Sequence, residues 1–107
     1  MGVDIVSAFR KVSTKSDQAH HIRELRTRID ALRARVNRSP YAWTDPTLVA
    51  GSTVIRAQHI LDLRSALSEV YISAGLTPPV YTDSSLAGVT VKMVHIAELR
   101  AAVIAIE

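Results

Sequence analysis

Three copies of one hexapeptide constrain this chain more than any other feature. They read His21-Ile22-Arg23-Glu24-Leu25-Arg26, His59-Ile60-Leu61-Asp62-Leu63-Arg64 and His95-Ile96-Ala97-Glu98-Leu99-Arg100, with spacings of 38 and 36 residues. A second pattern begins 22 residues after each of the first two histidines: Trp43-Thr44-Asp45-Pro46-Thr47-Leu48 and Tyr81-Thr82-Asp83-Ser84-Ser85-Leu86. Ala50-Gly51 and Ala87-Gly88 follow, then Thr53-Val54 and Thr90-Val91, and Pro40 aligns with Pro78. A period in the thirties predicts repeated supersecondary units that bury their apolar faces on neighbours.

Each histidine opens a helical stripe. Ile22, Leu25, Ile29, Leu32 and Val36 recur by threes and fours, as do Ile60, Leu63, Leu67, Val70 and Ala74, and then Ile96, Leu99, Val103 and Ile106. This is one apolar face per helix. Asn37 and Gly75 lie just past the first two stripes, where a left-handed residue ends a helix. Pro40 and Pro78-Pro79 come next, where a helix cannot continue. Thr53 and Thr90 are the expected N-caps, with Ser16 the weaker equivalent. The pattern predicts helices near 17–36, 54–74 and 91–106. The Thr-Asp-Pro segment reads as the start of a short helical turn with Pro46 at its first position, copied at Tyr81 to Leu86. The expected fold is all-α: a three-helix repeat bundle with two matching ordered loops. Its units start near 16, 54 and 91 within one domain at 16–107, after a divergent lead at 1–15. Ile22, Leu25, Ile29, Leu32, Ile60, Leu63, Leu67, Val70, Ile96, Leu99 and Val103 are the predicted core, with Trp43 and Tyr81 packed at its edge.

These motifs resemble a tandem helical repeat of large bacterial secreted or surface proteins. The resemblance covers about residues 20 to 107 and departs at Ser84 and at the shorter link from Leu86 to His95. It implies an accessory or assembly module at the cell surface or outside the cell. It brings no enzymatic activity, cofactor or catalytic residue with it.

Composition narrows the chemistry. The chain has no cysteine, which excludes a disulfide framework, a thiolate metal site and a cysteine nucleophile. With five aromatic residues the core must be aliphatic. No apolar run reaches the roughly 20 residues of a membrane span. The first residues carry Asp4 and lack the apolar stretch of a signal peptide. No nucleophile elbow, P-loop or glycine-rich dinucleotide pattern occurs. The expectation is therefore no enzyme, no cofactor and no bound metal.

The repeat-defining polar residues have two readings each. His21 with Glu24, His59 with Asp62 and His95 with Glu98 stand three apart, on one helix face. Such pairs build metal sites in some bundles, and three histidines can hold zinc. A residue present in every unit more often builds the unit, here by bonding its neighbouring acid or packing on the loop aromatic. Arg26, Arg64 and Arg100 occupy one equivalent place, where an ion pair with Asp45 or Asp83 is the natural structural role. Residues 1–40 carry nine Lys/Arg against four Asp/Glu, whereas 41–107 carry four against six. Arg23, Arg28, Arg33, Arg35 and Arg38 thus form a candidate basic face for phosphates. No aromatic residue lies on that helix for base stacking, and no nucleic-acid motif is present.

The expected function is a non-enzymatic structural or protein-interaction module that self-assembles. The alternative is a small nucleic-acid-binding protein using the arginines of the first helix. The apolar residues Val3, Ile5 and Phe9 at one end, and Ile104 and Ile106 at the other, are the expected assembly ends. Opposed charge at those ends favours a head-to-tail homo-oligomer, a ring or a filament. Another protein is the other expected partner.

Overall fold

Each apolar stripe becomes one helix: α1 at Lys15–Arg35, α2 at Ala57–Ser73 and α3 at Met93–Ile106. The chain is seen as a computed structural model that describes residues 15–49, 55–83, 85–86 and 91–107. Among the described residues there is no strand, so the fold is the expected all-α three-helix bundle.

The helix ends follow local chemistry. Asn37 and Gly75 both take positive φ, 61° and 76°. Behind each, two backbone bonds reach back over the last turn. Arg38 N donates to the Arg33 carbonyl and Asn37 N to that of Ala34, at 2.8 and 3.2 Å. Leu76 N and Gly75 N do the same to Tyr71 and Ile72, at 2.8 and 3.0 Å. This double bond pattern satisfies the carbonyls a helix leaves unpaired at its end.

The starts differ from expectation. Helices α2 and α3 begin after Arg56 and Lys92, two or three residues later than the threonines suggest. Thr53 and Thr90 lie outside the described residues, and Ser16 stands inside α1 rather than capping it. Arg56 and Lys92 hold extended backbone, and neither supplies a side-chain cap. The cap comes from within the helix. The N–H of Arg56 donates to His59 Nδ1 at 2.8 Å, and that of Lys92 to His95 Nδ1 at 2.9 Å. The histidine ring at the third helical position thus takes the part that Glu or Gln plays in a capping box.

Packing reproduces the repeat. Every predicted core residue is buried, joined by Ala19, Leu48, Ile55, Ala66, Tyr71, Leu86 and Ala102. Equivalent positions make tiers across the bundle: Ile22/Ile60/Ile96, Leu25/Leu63/Leu99, Ile29/Leu67/Val103 and Leu32/Val70/Ile106. The first three tiers are at most 1% exposed. Trp43 and Tyr81 pack half-buried against this cluster, as expected.

The contacts also fix direction. Arg33, near the end of α1, reaches Ala66 and Glu69 of α2. Tyr71, near the end of α2, reaches Ala102 of α3. Arg100 of α3 reaches His21 and Glu24 near the start of α1, and Glu107 reaches Arg28 and Arg35. All three helices therefore run parallel, and each loop returns the chain along the bundle. The set is a closed cycle rather than an open stack: α1 meets α2, α2 meets α3, and α3 meets α1.

Candidate functional site

The repeated polar residues converge at the helix–loop–helix junctions. At the first junction, Arg26 of α1 extends its guanidinium beneath the loop. Its Nη1 donates to the Asp45 carbonyl at 2.8 Å and its Nη2 to the Thr44 carbonyl at 2.5 Å. Both carbonyls reach one guanidinium because Asp45 sits in the left-handed region, φ 51°. Asp tolerates that conformation better than most residues. Thr44 N donates to Asp62 Oδ2 at 2.7 Å, which ties the loop to α2. The Asp45 carboxylate accepts from His59 Nε2 at 2.8 Å and from Arg56. With Nδ1 accepting the cap N–H, Nε2 carries the ring proton, so both ring nitrogens of His59 are engaged. Trp43 lies against the Arg26 guanidinium, 5.3 Å from its ring centre.

The second junction repeats the arginine, histidine and acid contacts of this clasp. Arg64 donates to the carbonyls of Asp83 and Thr82 at 2.8 and 2.9 Å. Asp83 has φ 55°, and its carboxylate accepts from His95 Nε2 at 2.9 Å. Thr82 N donates to the Glu98 carboxylate at 3.0 and 3.1 Å. Tyr81 stacks on Arg64 at 4.6 Å. The aromatic anchors differ in one respect. Trp43 Nε1 donates to Asp30 at 3.0 Å, and Tyr41 N donates to the same carboxylate at 3.0 Å. Ser68 occupies the place equivalent to Asp30. The buried Tyr81 hydroxyl has no hydrogen-bond partner among the described residues.

At the third junction the same residue types meet one another directly. Arg100 Nη2 donates directly to His21 Nδ1 at 2.8 Å and to Glu24 at 2.9 Å. A second ring of contacts closes lower in the bundle. Arg33 reaches the Ala66 carbonyl at 3.3 Å, and its equivalent Tyr71 reaches the Ala102 carbonyl at 2.6 Å. At the third place Glu107 pairs with Arg28, whose position corresponds to Ala66 and Ala102.

Several expectations need correction here. The arginines do not pair with the loop aspartates' carboxylates; they fork onto main-chain carbonyls, and the carboxylates go to the histidines. Nor do His59 and His95 bond the acid three residues on. Asp62 and Glu98 are drawn instead to the loop N–H groups, which lack any other acceptor. His21 alone nears its own acid, at 4.0 Å from Glu24. The Thr-Asp-Pro segment forms bends over 44–47, not helix, because a residue at positive φ cannot take the extended geometry of an N-cap.

The candidate basic face is also divided. Arg33 is buried on the Ser39 and Ala66 carbonyls and on Glu69. Arg28 and Arg35 hold Glu107, and Arg38 donates to Ser73 at 2.6 Å. Of the five side chains only that of Arg23, an exposed residue, has no polar partner among the described residues. Of the expected assembly ends, Val3, Ile5 and Phe9 lie outside the described residues. Ile104 is exposed and Ile106 packs on the core. The sequence reading missed Arg56, Lys92, Asp30, and the Arg33/Tyr71/Glu107 ring. For the last, the 38- and 36-residue offsets were the available signal.

Electrostatics follow the geometry. The His59 hydrogen bond, and then Arg56, hold the Asp45 carboxyl below its ordinary range. His95 does the same for Asp83. Arg100 lowers Glu24, and Arg28 lowers Glu107. Burial pulls Arg26 below the usual arginine value against the pull of Asp62 and Asp45. Burial pushes the Tyr81 phenol up to about 12.

Among the described residues no group of three or more His, Asp or Glu side chains is placed to hold a metal ion. No described helix is long and apolar enough to cross a membrane. Comparison with protein families, with curated proteins and with solved structures finds no match to this chain.

Proposed function

We propose that this chain is a non-enzymatic structural and protein-interaction module whose repeated polar motif serves to brace helix to loop. What supports the reading is one observation. At both loop junctions the arginine, histidine and acid of the motif are hydrogen-bonded into the scaffold, in matching geometry. A histidine with both ring nitrogens engaged and an arginine forked on carbonyls hold position rather than transform a substrate.

Self-assembly is part of the proposal, through apolar contact rather than opposed charge. The basic first helix and the acidic last residue already satisfy each other within one chain through Arg28, Arg35 and Glu107. Ile72, Leu76, Val80 and Ile104, each at least 50% exposed, are apolar side chains available to a partner. The resemblance of the motif favours a place within or beside a larger bacterial surface structure.

Light scattering over a range of protein concentrations, beside titration with duplex DNA and RNA at low salt, tests this. The expected result is concentration-dependent association with no nucleic-acid binding. Binding that falls steeply as salt rises would replace the proposal with a phosphate-binding role for the arginines.

A further inference from the structure

A cleft of about 360 Å³ lies beside the first junction, between α1 and the loop that follows it. That volume falls within the roughly 300–1,000 Å³ of small-ligand pockets. Its helix wall carries Arg23, Arg26 and Asp30, which share one face of α1 at spacings of three and four. Its loop wall carries Trp43, Pro46 and Leu48. The charges on these walls are unequally met. Both Asp30 oxygens accept N–H groups, from Tyr41 and Trp43. Arg26 is 6% exposed and gives its two Nη atoms to neutral main-chain carbonyls. The carboxylates around it are taken: Asp45 by His59 and Arg56, Asp62 by Thr44 N and Gln58. Arg26 Nε is buried with no hydrogen-bond partner among the described residues. A desolvated cation at the cleft floor attracts an anion more strongly than the same charge in water. Arg23, one turn earlier, is exposed on the same cleft. The second unit shows what bracing requires. Leu61 and Ser84 stand where the first unit has Arg23 and Pro46, and the arginine and histidine contacts form there all the same. Arg23 and Pro46 are therefore additions to the clasp, and both line the cleft.

We propose that this cleft binds a carboxylate carried on the same carbon as an apolar side chain, the chemistry of a polypeptide's C-terminal residue or of a free N-acyl amino acid. Arg23 pairs with the carboxylate through its planar fork, and the buried charge of Arg26 draws the anion in. The apolar side chain packs on Trp43, Pro46 and Leu48. An aspartate or glutamate side chain brings the anion without that apolar body. Two guanidinium groups and one carboxylate leave the cleft one net positive charge, which suits a monoanion. Asp30 repels the second charge of a phosphate monoester. The polypeptide source rests on the interaction-module reading, whereas the preference for a carboxylate rests on the cleft alone.

Trp43 is the one tryptophan of the chain, so its fluorescence reports on the cleft directly. The full chain is titrated with N-acetyl-leucine, with N-acetyl-leucinamide and with the peptide N-acetyl-Ala-Ala-Ala-Leu. The expected result is a saturable change with N-acetyl-leucine at a dissociation constant on the order of millimolar, as a ligand of so few atoms allows. The amide, which lacks the charge, should bind roughly tenfold more weakly or worse. Arg23→Leu should remove the difference between acid and amide, while Arg38→Gln, at the far end of α1, should leave it unchanged. Circular dichroism melts establish that both variants remain folded, and the acid–amide comparison needs no variant at all. Peptide binding at least as tight as that of N-acetyl-leucine assigns the site to polypeptide ends, and binding of N-acetyl-leucine alone assigns it to free acids. No saturable change with either acid, equal binding of acid and amide, indifference to Arg23→Leu, or inorganic phosphate binding as tightly as N-acetyl-leucine overturns the proposal. If the chain nonetheless self-associates in light scattering, the module reading stands while the cleft does not.

Discussion

The first two junctions and the third are built from the same motif and brace the bundle in different ways. At α1/α2 and α2/α3 a loop lies between arginine and acid, and the arginine is buried on carbonyls. At α3/α1 the arginine meets the acid directly, partly in solvent. A buried guanidinium forked on backbone oxygens is held by desolvated, charge-assisted bonds. An exposed ion pair contributes little, because water and salt already screen it. Identical residue types therefore carry unequal weight, and burial by the loop sets the difference.

The tiers beneath are common to all three junctions and set the scale. Leu63, fully buried at the centre, should cost about 2–5 kcal/mol on replacement by Ala. Chemical denaturation measures it. A smaller loss would mean that the clasps, not the core, dominate stability.

Next in size is the arginine comparison. Arg64→Ala leaves two carbonyls without their donor and Tyr81 without its stack, so a loss of roughly 3 kcal/mol is expected. Arg100→Ala should cost under about 1 kcal/mol, since its pair is solvent-screened. Equal losses from the two variants would remove the distinction between junctions. The two filled clasps can also be told apart. Tyr81→Phe deletes a buried hydroxyl that has no partner among the described residues and should be neutral or stabilise by up to about 1 kcal/mol. Trp43→Phe breaks the bond to Asp30 and should destabilise by about 1 kcal/mol.

Helix count, the aliphatic tiers and the C-terminal stops were legible because each depends on side-chain type at fixed spacing: Ile22 with Leu25 and Ile29, Asn37 with Gly75. The clasp residues were legible as a set, since they recur together. Their pairing was not. The acceptors of Arg26 and Arg64 are main-chain carbonyls, which no residue letter marks, and their alignment depends on positive φ at Asp45 and Asp83. The helix starts were misplaced for a related reason. A histidine capping Arg56 from three residues inside the helix does not look like the usual Ser or Thr signal. Closure of α3 on α1 was hidden because a tandem repeat reads the same whether it stacks openly or returns to its start.

Acid should weaken every junction. Asp45, Asp83, Glu24 and Glu107 all have lowered folded-state pKa values, set first by His59, His95, Arg100 and Arg28 respectively. Their contribution is full above the unfolded carboxylate range and is lost as pH falls through the lower folded values. Thermal melts should therefore decline as pH drops below about 4. A melting temperature flat from pH 5 to 2 would show that these carboxylates are not engaged. The smallest effect is that of salt at neutral pH. Raising ionic strength should lower the melting temperature slightly through Arg28–Glu107 and Arg100–Glu24, and Arg100→Ala should reduce that sensitivity.

His59 and His95 are two-sided clasps, each capping its helix with Nδ1 and holding the loop aspartate with Nε2. The direct measurement is the imidazole nitrogen NMR spectrum of the full chain, with His59 and His95 assigned by their Gln variants. Both rings should be fixed as the Nε2–H tautomer, with Nδ1 unprotonated and a slowly exchanging proton on Nε2 held by the Asp45 or Asp83 carboxylate. Rings that average between tautomers, or that carry the proton on Nδ1, would contradict it.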